Sequence, residues 1–109
     1  MLKALLGNSL KEKILLAVLT GQEVYARELA SLWGRHLLSI QNQLIILERG
    51  GILESRLKGR TRLYRFNPRY PFLNELEMLL RRTLDFMPTD ERQKYFTPRL
   101  RPRRGSKPL

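Results

Sequence analysis

The stretch RHLLSIQNQLIILER, from Arg35 to Arg49, has the apolar spacing of an amphipathic helix, and the rest of the chain is interpreted around it. On a helix, where successive residues are about 100° apart, four apolar residues form one narrow stripe: Leu37, Ile40, Leu44 and Leu47. The other face carries Leu38, Ser39, Asn42, Ile45, Ile46 and Arg49. We therefore expect one side of this helix to pack on a core and the other side to remain free.

A shorter helical pattern, ARELASLWG, precedes this helix, and Gly34 is expected to end it. Its apolar positions are Leu29, Leu32 and Trp33, and we expect Trp33 to lie in the core. Two short helices joined by a tight glycine turn form a helix-turn-helix. His36 lies at the start of the second helix, where we expect it to act as a cap or to bond the backbone rather than to sense pH.

A β-hairpin is expected after the second helix. The glycines Gly50 and Gly51 end that helix and are followed by ILESRL, a turn at 58–61 and RLYRF, which is the pattern of two strands joined by a glycine turn. The predicted fold is therefore mainly α with a small β-hairpin wing, a winged helix-turn-helix. In the second strand, Tyr64 and Phe66 share one face, and we expect both to lie in the core.

The runs VYARELASLWG and SIQNQLIILERGGILESRLKGRTRLYRFNP resemble the winged helix-turn-helix of ArsR-type and MarR-type bacterial and archaeal transcriptional regulators, a domain also found with nucleotidyltransferases. The resemblance extends over about Leu6 to Leu84. Its most specific parts are Arg27-Glu28-Leu29-Ala30, Leu47-Glu48-x-x-Gly51-Ile52-Leu53 and Tyr64-x-x-Asn67-Pro68. It implies a homodimeric DNA-binding regulator, expected to be a cytoplasmic repressor, whose second helix lies in the major groove.

The net charge of +11 is concentrated in two segments. Residues 56–69 contain six basic residues and no acid, and residues 97–109 contain five basic residues and no acid. These eleven account for the whole excess, so the positive charge lies on the predicted wing and on the C-terminal segment. Such a concentration is the electrostatic pattern expected for a polyanionic partner, which here favours double-stranded DNA over a merely solvated surface.

The candidate DNA contacts follow from the docking geometry that the resemblance implies, in which the start of the recognition helix meets base edges. On that helix they are Arg35, Leu38, Ser39, Gln41, Asn42 and Gln43, and on the wing they are Lys58, Arg60, Thr61 and Arg62. Since Asn and Gln pair well with adenine and Leu38 can contact a thymine methyl group, we expect a site that contains A·T pairs. Arg27 or Tyr25 is a further candidate for a phosphate contact, although half-buried packing explains Tyr25 equally well.

The two ends of the domain are expected to form helices that dimerise. Residues 1–7 have the pattern of a short helix or arm, and Ser9 with Glu12 has the spacing of a capping box that opens a helix to about Thr20. A broad apolar stripe follows Pro71, from Phe72 to about Met87. The predicted dimer interface is Leu2, Leu5, Leu6, Phe72, Leu76, Leu79, Leu80 and Leu84. The alternative is that the last helix packs only on its own domain.

The domain is expected to span residues 1–96. Within it, Glu91 to Phe96 has the pattern of one more helical turn after an N-cap at residues 88–90. The remainder, residues 97–109, is rich in proline and arginine and is expected to be a basic, disordered tail.

Composition argues against several other classes of protein. The chain has no cysteine and one histidine, which argues against disulfides, thiolate chemistry and a clustered metal site. The acids are scattered and there is no glycine-rich phosphate loop, so we predict neither an enzyme nor a cofactor. No apolar run approaches the ~20 residues that span a bilayer, so we expect no membrane segment.

Two other functions remain open. Many related domains carry Arg or Lys where Asn42, Gln43, Ile45 and Ile46 stand here, and Arg49 is the single cation between residues 36 and 49. Because paired exposed apolar residues often mark a contact surface, Ile45 and Ile46 suggest a protein-interaction module such as an antitoxin or adaptor. RNA binding through the wing and the tail is a weaker alternative.

Overall fold

The computed structural model describes residues 1–96, and the predicted tail at 97–109 lies outside them. The elements in chain order are α1 (Lys3–Leu6), α2 (Ser9–Gly21), α3 (Ala26–Trp33), α4 (Leu37–Arg49), β1 (Leu53–Lys58), β2 (Thr61–Phe66), α5 (Leu73–Asp85) and α6 (Thr89–Phe96). The fold is thus mainly helical with one two-stranded antiparallel hairpin. This order agrees with the arrangement expected from the sequence, and α6 is longer than the single turn predicted there.

The start of α2 differs from the prediction. Its N-cap is Asn8, whose Oδ1 accepts a hydrogen bond of 2.6 Å from the Lys11 N–H. Glu12 does not complete a capping box with Ser9. Its carboxylate is buried and accepts a 2.8 Å hydrogen bond from the Leu2 N–H, because α1 folds back onto α2. The capping-box prediction is therefore wrong, although the helix that it predicted is present.

The turn between α3 and α4 depends on the backbone conformation of Gly34. Gly34 ends α3 in the left-handed conformation, at φ 63° and ψ 40°, which costs a residue without a Cβ little. His36 is the N-cap of α4 in an extended conformation, and its side chain makes no capping bond. Its carbonyl accepts from the Ile40 N–H at 3.3 Å, as at any N-cap, so His36 occupies the expected position without a capping role for its side chain.

The hairpin pairs Leu53 with Phe66 at its base and Lys58 with Thr61 at its tip. Gly59 has φ 64° and supplies the positive φ that this two-residue turn needs. At the base, the Asn67 side chain donates to the Gly51 carbonyl at 2.9 Å, which closes the hairpin.

One connection was not predicted from the sequence. Val24, in the linker before α3, exchanges two backbone hydrogen bonds with Tyr64, of 3.0 and 2.8 Å, as an isolated antiparallel bridge. The linker is therefore held beside β2 by this single bridge. This bridge fixes the start of α3 against the hairpin.

The core surrounds α2, whose second half is apolar nearly all round and is buried on more than one side. From α4, Ile40, Leu44 and Leu47 are buried in this core, whereas Leu37 is half-buried. From β2, Tyr64 is buried and Phe66 is partly buried against the core.

Three further apolar residues differ in detail from what was expected. Leu63, on the other face of β2, is buried as well. Trp33 packs against the core but is only half-buried, and Leu32 is exposed. The apolar pattern of α3 therefore reaches the core mainly through Leu29.

Candidate nucleic-acid interface

A groove of about 500 Å³ lies between the start of α3, the free face of α4 and the hairpin. The helices and the residue before α3 contribute Tyr25, Ala26, Arg27, Leu37, Leu38, Gln41, Asn42 and Ile45. The hairpin contributes Arg60, Thr61, Arg62 and Tyr64. The fold thus places the predicted recognition helix and the predicted wing on two sides of one concave surface.

The free face of α4 presents its side chains at a regular helical spacing. Leu38, Gln41, Asn42 and Ile45 follow the pattern i, i+3, i+4, i+7, so they form one continuous row along the helix. Leu38 is 66% exposed, and Gln41 and Asn42 are also exposed. Two apolar side chains therefore flank two amides that are free to form hydrogen bonds with a ligand.

Six of the ten residues predicted to contact DNA line this groove: Leu38, Gln41, Asn42, Arg60, Thr61 and Arg62. Arg35, Ser39 and Lys58 are exposed but do not line it. Gln43 turns the other way, and its Oε1 accepts a hydrogen bond of 3.3 Å from Asn8 Nδ2 at the start of α2. Gln43 is thus occupied in holding α4 to α2, which argues against a role in reading bases.

Several residues of the groove were not predicted to belong to the candidate site. Ala26, Leu37 and Tyr64 line it although they were interpreted only as parts of the helices and the core. Ile45, which is 37% exposed, was interpreted as part of a protein-contact surface but shares the groove with Asn42. The i, i+3, i+4, i+7 spacing was the signal that could have placed Ile45 with Leu38.

The charge of the groove is entirely positive. Arg27, Arg60 and Arg62 line it, and none of its lining residues is acidic. Two other hairpin cations are paired with acids outside the groove. Arg56 forms an ion pair of 3.2 Å with Glu23, and the shortest nitrogen–oxygen distance between Arg65 and Glu54 is 2.6 Å. Among the residues that the structure describes, the hairpin cations that form no ion pair are therefore concentrated near the tip rather than spread along both strands.

A chain of hydrogen bonds joins α4 to the hairpin. The Ser55 hydroxyl donates to the Glu48 carboxylate at 2.6 Å, and Arg62 Nη1 donates to the same hydroxyl oxygen at 3.0 Å. Glu48 lies in the last turn of α4, Ser55 lies on β1 and Arg62 lies on β2. The orientation of Arg62 is thus coupled to the end of α4 through one serine.

Tyr64 is the residue of the groove with a displaced pKa. Burial raises the pKa of the Tyr64 phenol above its ordinary value of 10.0, and the negative charge of Glu48 raises it further. The nearby Arg62 guanidinium acts in the opposite direction and is the smallest of the three effects. The phenol is neutral at physiological pH, as an unshifted tyrosine is, and the raised pKa extends its role as a hydrogen-bond donor to higher pH.

The residues predicted to form a dimer interface fall into two groups. Leu5 and Phe72 are 67% and 62% exposed, and Leu2, Leu6, Leu76 and Leu79 are half-buried. Leu80 and Leu84 lie in the core of the chain itself, because α5 packs this side on α2. These two residues have almost no surface to offer a partner, so their assignment to the interface is wrong.

Within residues 1–96, no helix is long and apolar enough to cross a membrane, and no three His, Cys, Asp or Glu side chains are grouped to hold a metal ion. The chain matches no model of a known protein family and no curated protein sequence. The geometry of the groove is therefore the principal basis for a functional assignment.

Proposed function

We propose that this protein is a homodimeric transcriptional regulator that binds double-stranded DNA sequence-specifically through a winged helix-turn-helix. In this proposal α4 is the recognition helix and enters the major groove, and the hairpin is the wing and contacts phosphates or the minor groove. The protein acts in the cytoplasm as a repressor that covers a promoter. It needs no cofactor and catalyses no reaction.

The observation that carries the proposal is the groove between α4 and the hairpin, whose charged lining residues within residues 1–96 are all cationic. Leu38, Gln41 and Asn42 supply side chains that can read base edges, and Arg60 and Arg62 lie across from them. Base contacts determine sequence preference, while contacts to phosphates determine position and much of the affinity. The groove holds both kinds of residue within one surface and contains no acidic side chain that would repel phosphates.

A dimer is part of the proposal because DNA readers with a two-fold axis bind paired half-sites. Both α1 and α5 pack on α2, and large apolar side chains are exposed beside them, Leu5 on α1 and Phe72 at the N-cap of α5. Exposed apolar surface on a small domain is stabilised when a second copy covers it. We assign these two elements, without Leu80 and Leu84, to the dimer interface.

The proposal is tested by selecting duplexes from a random DNA pool with the full chain, near physiological salt. An excess of unrelated duplex suppresses nonspecific binding through the basic C-terminal segment. We expect an enriched motif of two related half-sites in inverted orientation. Equal retention of all sequences, with affinity lost as salt rises, would instead identify nonspecific attraction to a polyanion and refute sequence-specific binding.

A protein-interaction module is the second candidate function, and Ile46 is the observation that favours it. This side chain is 48% exposed and does not line the groove. If the free face of α4 binds a protein, Ile46→Asp is expected to abolish that complex and to leave DNA affinity nearly unchanged. A loss of sequence-specific DNA binding in Ile46→Asp would argue against this separation of surfaces.

A further inference from the structure

Two apolar side chains on the free face of α4 remain unexplained by the core. Leu38 and Ile45 are 66% and 37% exposed and line the same groove, with Gln41 and Asn42 between them. Leu38 and Ile45 are seven residues apart, so they are separated by about 10 Å along the helix axis. Exposing apolar surface to water is unfavourable, and this pair is placed where the proposed ligand would cover it.

The charge around this pair indicates the chemistry of what covers it. Arg27, Arg60 and Arg62 line the same groove and no acid does. A matching partner therefore presents negative charge next to apolar groups, and these apolar groups have the spacing of Leu38 and Ile45. In duplex DNA the phosphates flank the base edges, and the apolar group exposed on those edges in the major groove is the thymine methyl group.

We propose that Leu38 and Ile45 read two thymine methyl groups in the major groove, while Gln41 and Asn42 read the bases between them. This inference rests on the proposed function and deepens it by naming the base pairs that the row on α4 recognises. Because each base pair rises about 3.4 Å along the DNA axis and the major groove runs obliquely to that axis, a separation of about 10 Å along α4 corresponds to thymines at most about three base pairs apart. It also assigns Ile45 to DNA recognition and leaves Ile46 outside it.

The test uses the duplex that the full chain selects from a random pool. Each thymine is replaced in turn by uracil, which pairs with adenine in the same way but lacks the methyl group. We expect the wild-type affinity to fall about fourfold, or ~0.8 kcal/mol, at two positions in each half-site, since each loses the burial of one methyl-sized group. Substitutions at the remaining thymines serve as internal controls and should change little.

Matched variants assign each methyl group to a side chain. At one of the two positions, Leu38→Ala is expected to bind the thymine and uracil duplexes with equal affinity. At the other position, Ile45→Ala is expected to show the same loss of discrimination. Ile46→Ala removes a similar amount of apolar surface next to the groove and should retain the wild-type preference for thymine at both. Circular dichroism establishes that the variants fold, and the uracil series on the wild type requires no variant at all.

The outcomes separate this inference from the proposed function. A selected motif whose uracil series is neutral throughout would overturn the inference and leave sequence-specific binding intact. Uracil sensitivity that persists unchanged in both Leu38→Ala and Ile45→Ala would also overturn it, because other residues would then contact the methyl groups. If no motif is selected, the proposed function itself fails, and the inference fails with it.

Discussion

The hydroxyl of Ser55 on β1 donates a hydrogen bond of 2.6 Å to the carboxylate of Glu48 in the last turn of α4. It also accepts from Arg62 on β2 at 3.0 Å, so one serine joins the proposed recognition helix to both strands of the hairpin. Such a link orients the groove before any ligand binds, which reduces the ordering cost of binding.

Ser55→Ala is therefore expected to destabilise the fold by ~1 kcal/mol, because a hydrogen bond to a charged acceptor is lost from a partly buried site. Urea unfolding monitored by circular dichroism measures this difference. Ser31→Ala, at an exposed position of α3, is the matched control and should change stability by less than ~0.5 kcal/mol. Purely additive effects of Ser55→Ala and Glu48→Ala in the double variant would show that the two side chains do not stabilise each other.

Asn42→Ala and Arg60→Ala are expected to separate sequence reading from electrostatic attraction. Asn42→Ala should weaken binding to the selected duplex by ~1–3 kcal/mol and binding to random duplex hardly at all, because an amide that reads a base is lost. Arg60→Ala should weaken both duplexes about equally. Fluorescence anisotropy with both duplexes measures this, and equal losses on the two duplexes in both variants would contradict the division of roles.

The salt dependence of binding should distinguish the cations of the hairpin from one another. Arg60 forms no ion pair within residues 1–96 and lines the groove, so Arg60→Ala should lower the slope of log affinity against log salt by about 0.9. Arg56 is already paired with Glu23 away from the groove, so Arg56→Ala should lower the slope by less than half as much. Equal changes of slope in the two variants would mean that the observed ion pair does not determine which cation meets phosphate.

Stability is expected to fall at high pH in a way that depends on Tyr64. Its pKa in the folded chain is raised above the ordinary 10.0, chiefly by burial, so the folded state holds this proton more tightly than the unfolded state does. The corresponding stability is complete below about pH 10 and is lost as the pH rises through the folded value. Urea unfolding from about pH 8 to about pH 11 should show a shallower decline for Tyr64→Phe. The same decline in both proteins would contradict this assignment.

The cap of α2 offers a direct comparison of two adjacent residues. Asn8→Ala should cost at least ~1 kcal/mol, since it removes the cap that accepts from the Lys11 N–H and also the hydrogen bond that Asn8 Nδ2 donates to Gln43. Ser9→Ala should change stability by less than ~0.5 kcal/mol, because Ser9 is the first residue of the helix and does not cap it. Thermal or urea unfolding of the two variants measures both values, and the reverse order would support a cap at Ser9.

Leu5→Glu is expected to weaken the proposed dimer by at least about tenfold, because a charge would replace an apolar side chain at the interface. Sedimentation velocity over a range of concentrations measures this dissociation constant. Leu32→Glu is the matched control, since Leu32 is also exposed but lies on α3, outside the proposed interface. A wild-type chain that remains monomeric at every concentration would refute the dimer.

Much of the fold was predictable because the signals are local. The apolar spacing of α4 predicted that Ile40, Leu44 and Leu47 are buried, and Gly34 and Gly59 have positive φ at the two turns where glycine was expected to supply it. Six of the twelve residues that line the groove were predicted DNA contacts. They were predictable because exposed positions of one helix and the tip of one hairpin can be identified from a short window of sequence.

Tertiary packing decided what depends on residues far apart in the chain. Whether Arg56 keeps its charge available depends on Glu23, 33 positions away, and the direction of Gln43 depends on Asn8, 35 positions away. The side of α4 that carries Ile45 became part of a groove only when the hairpin folded over it. Leu80 belongs to the core rather than to an interface because α5 packs that side on α2. Residue spacing determines which side chains share a face, but the neighbours of that face are determined by how the elements pack against one another.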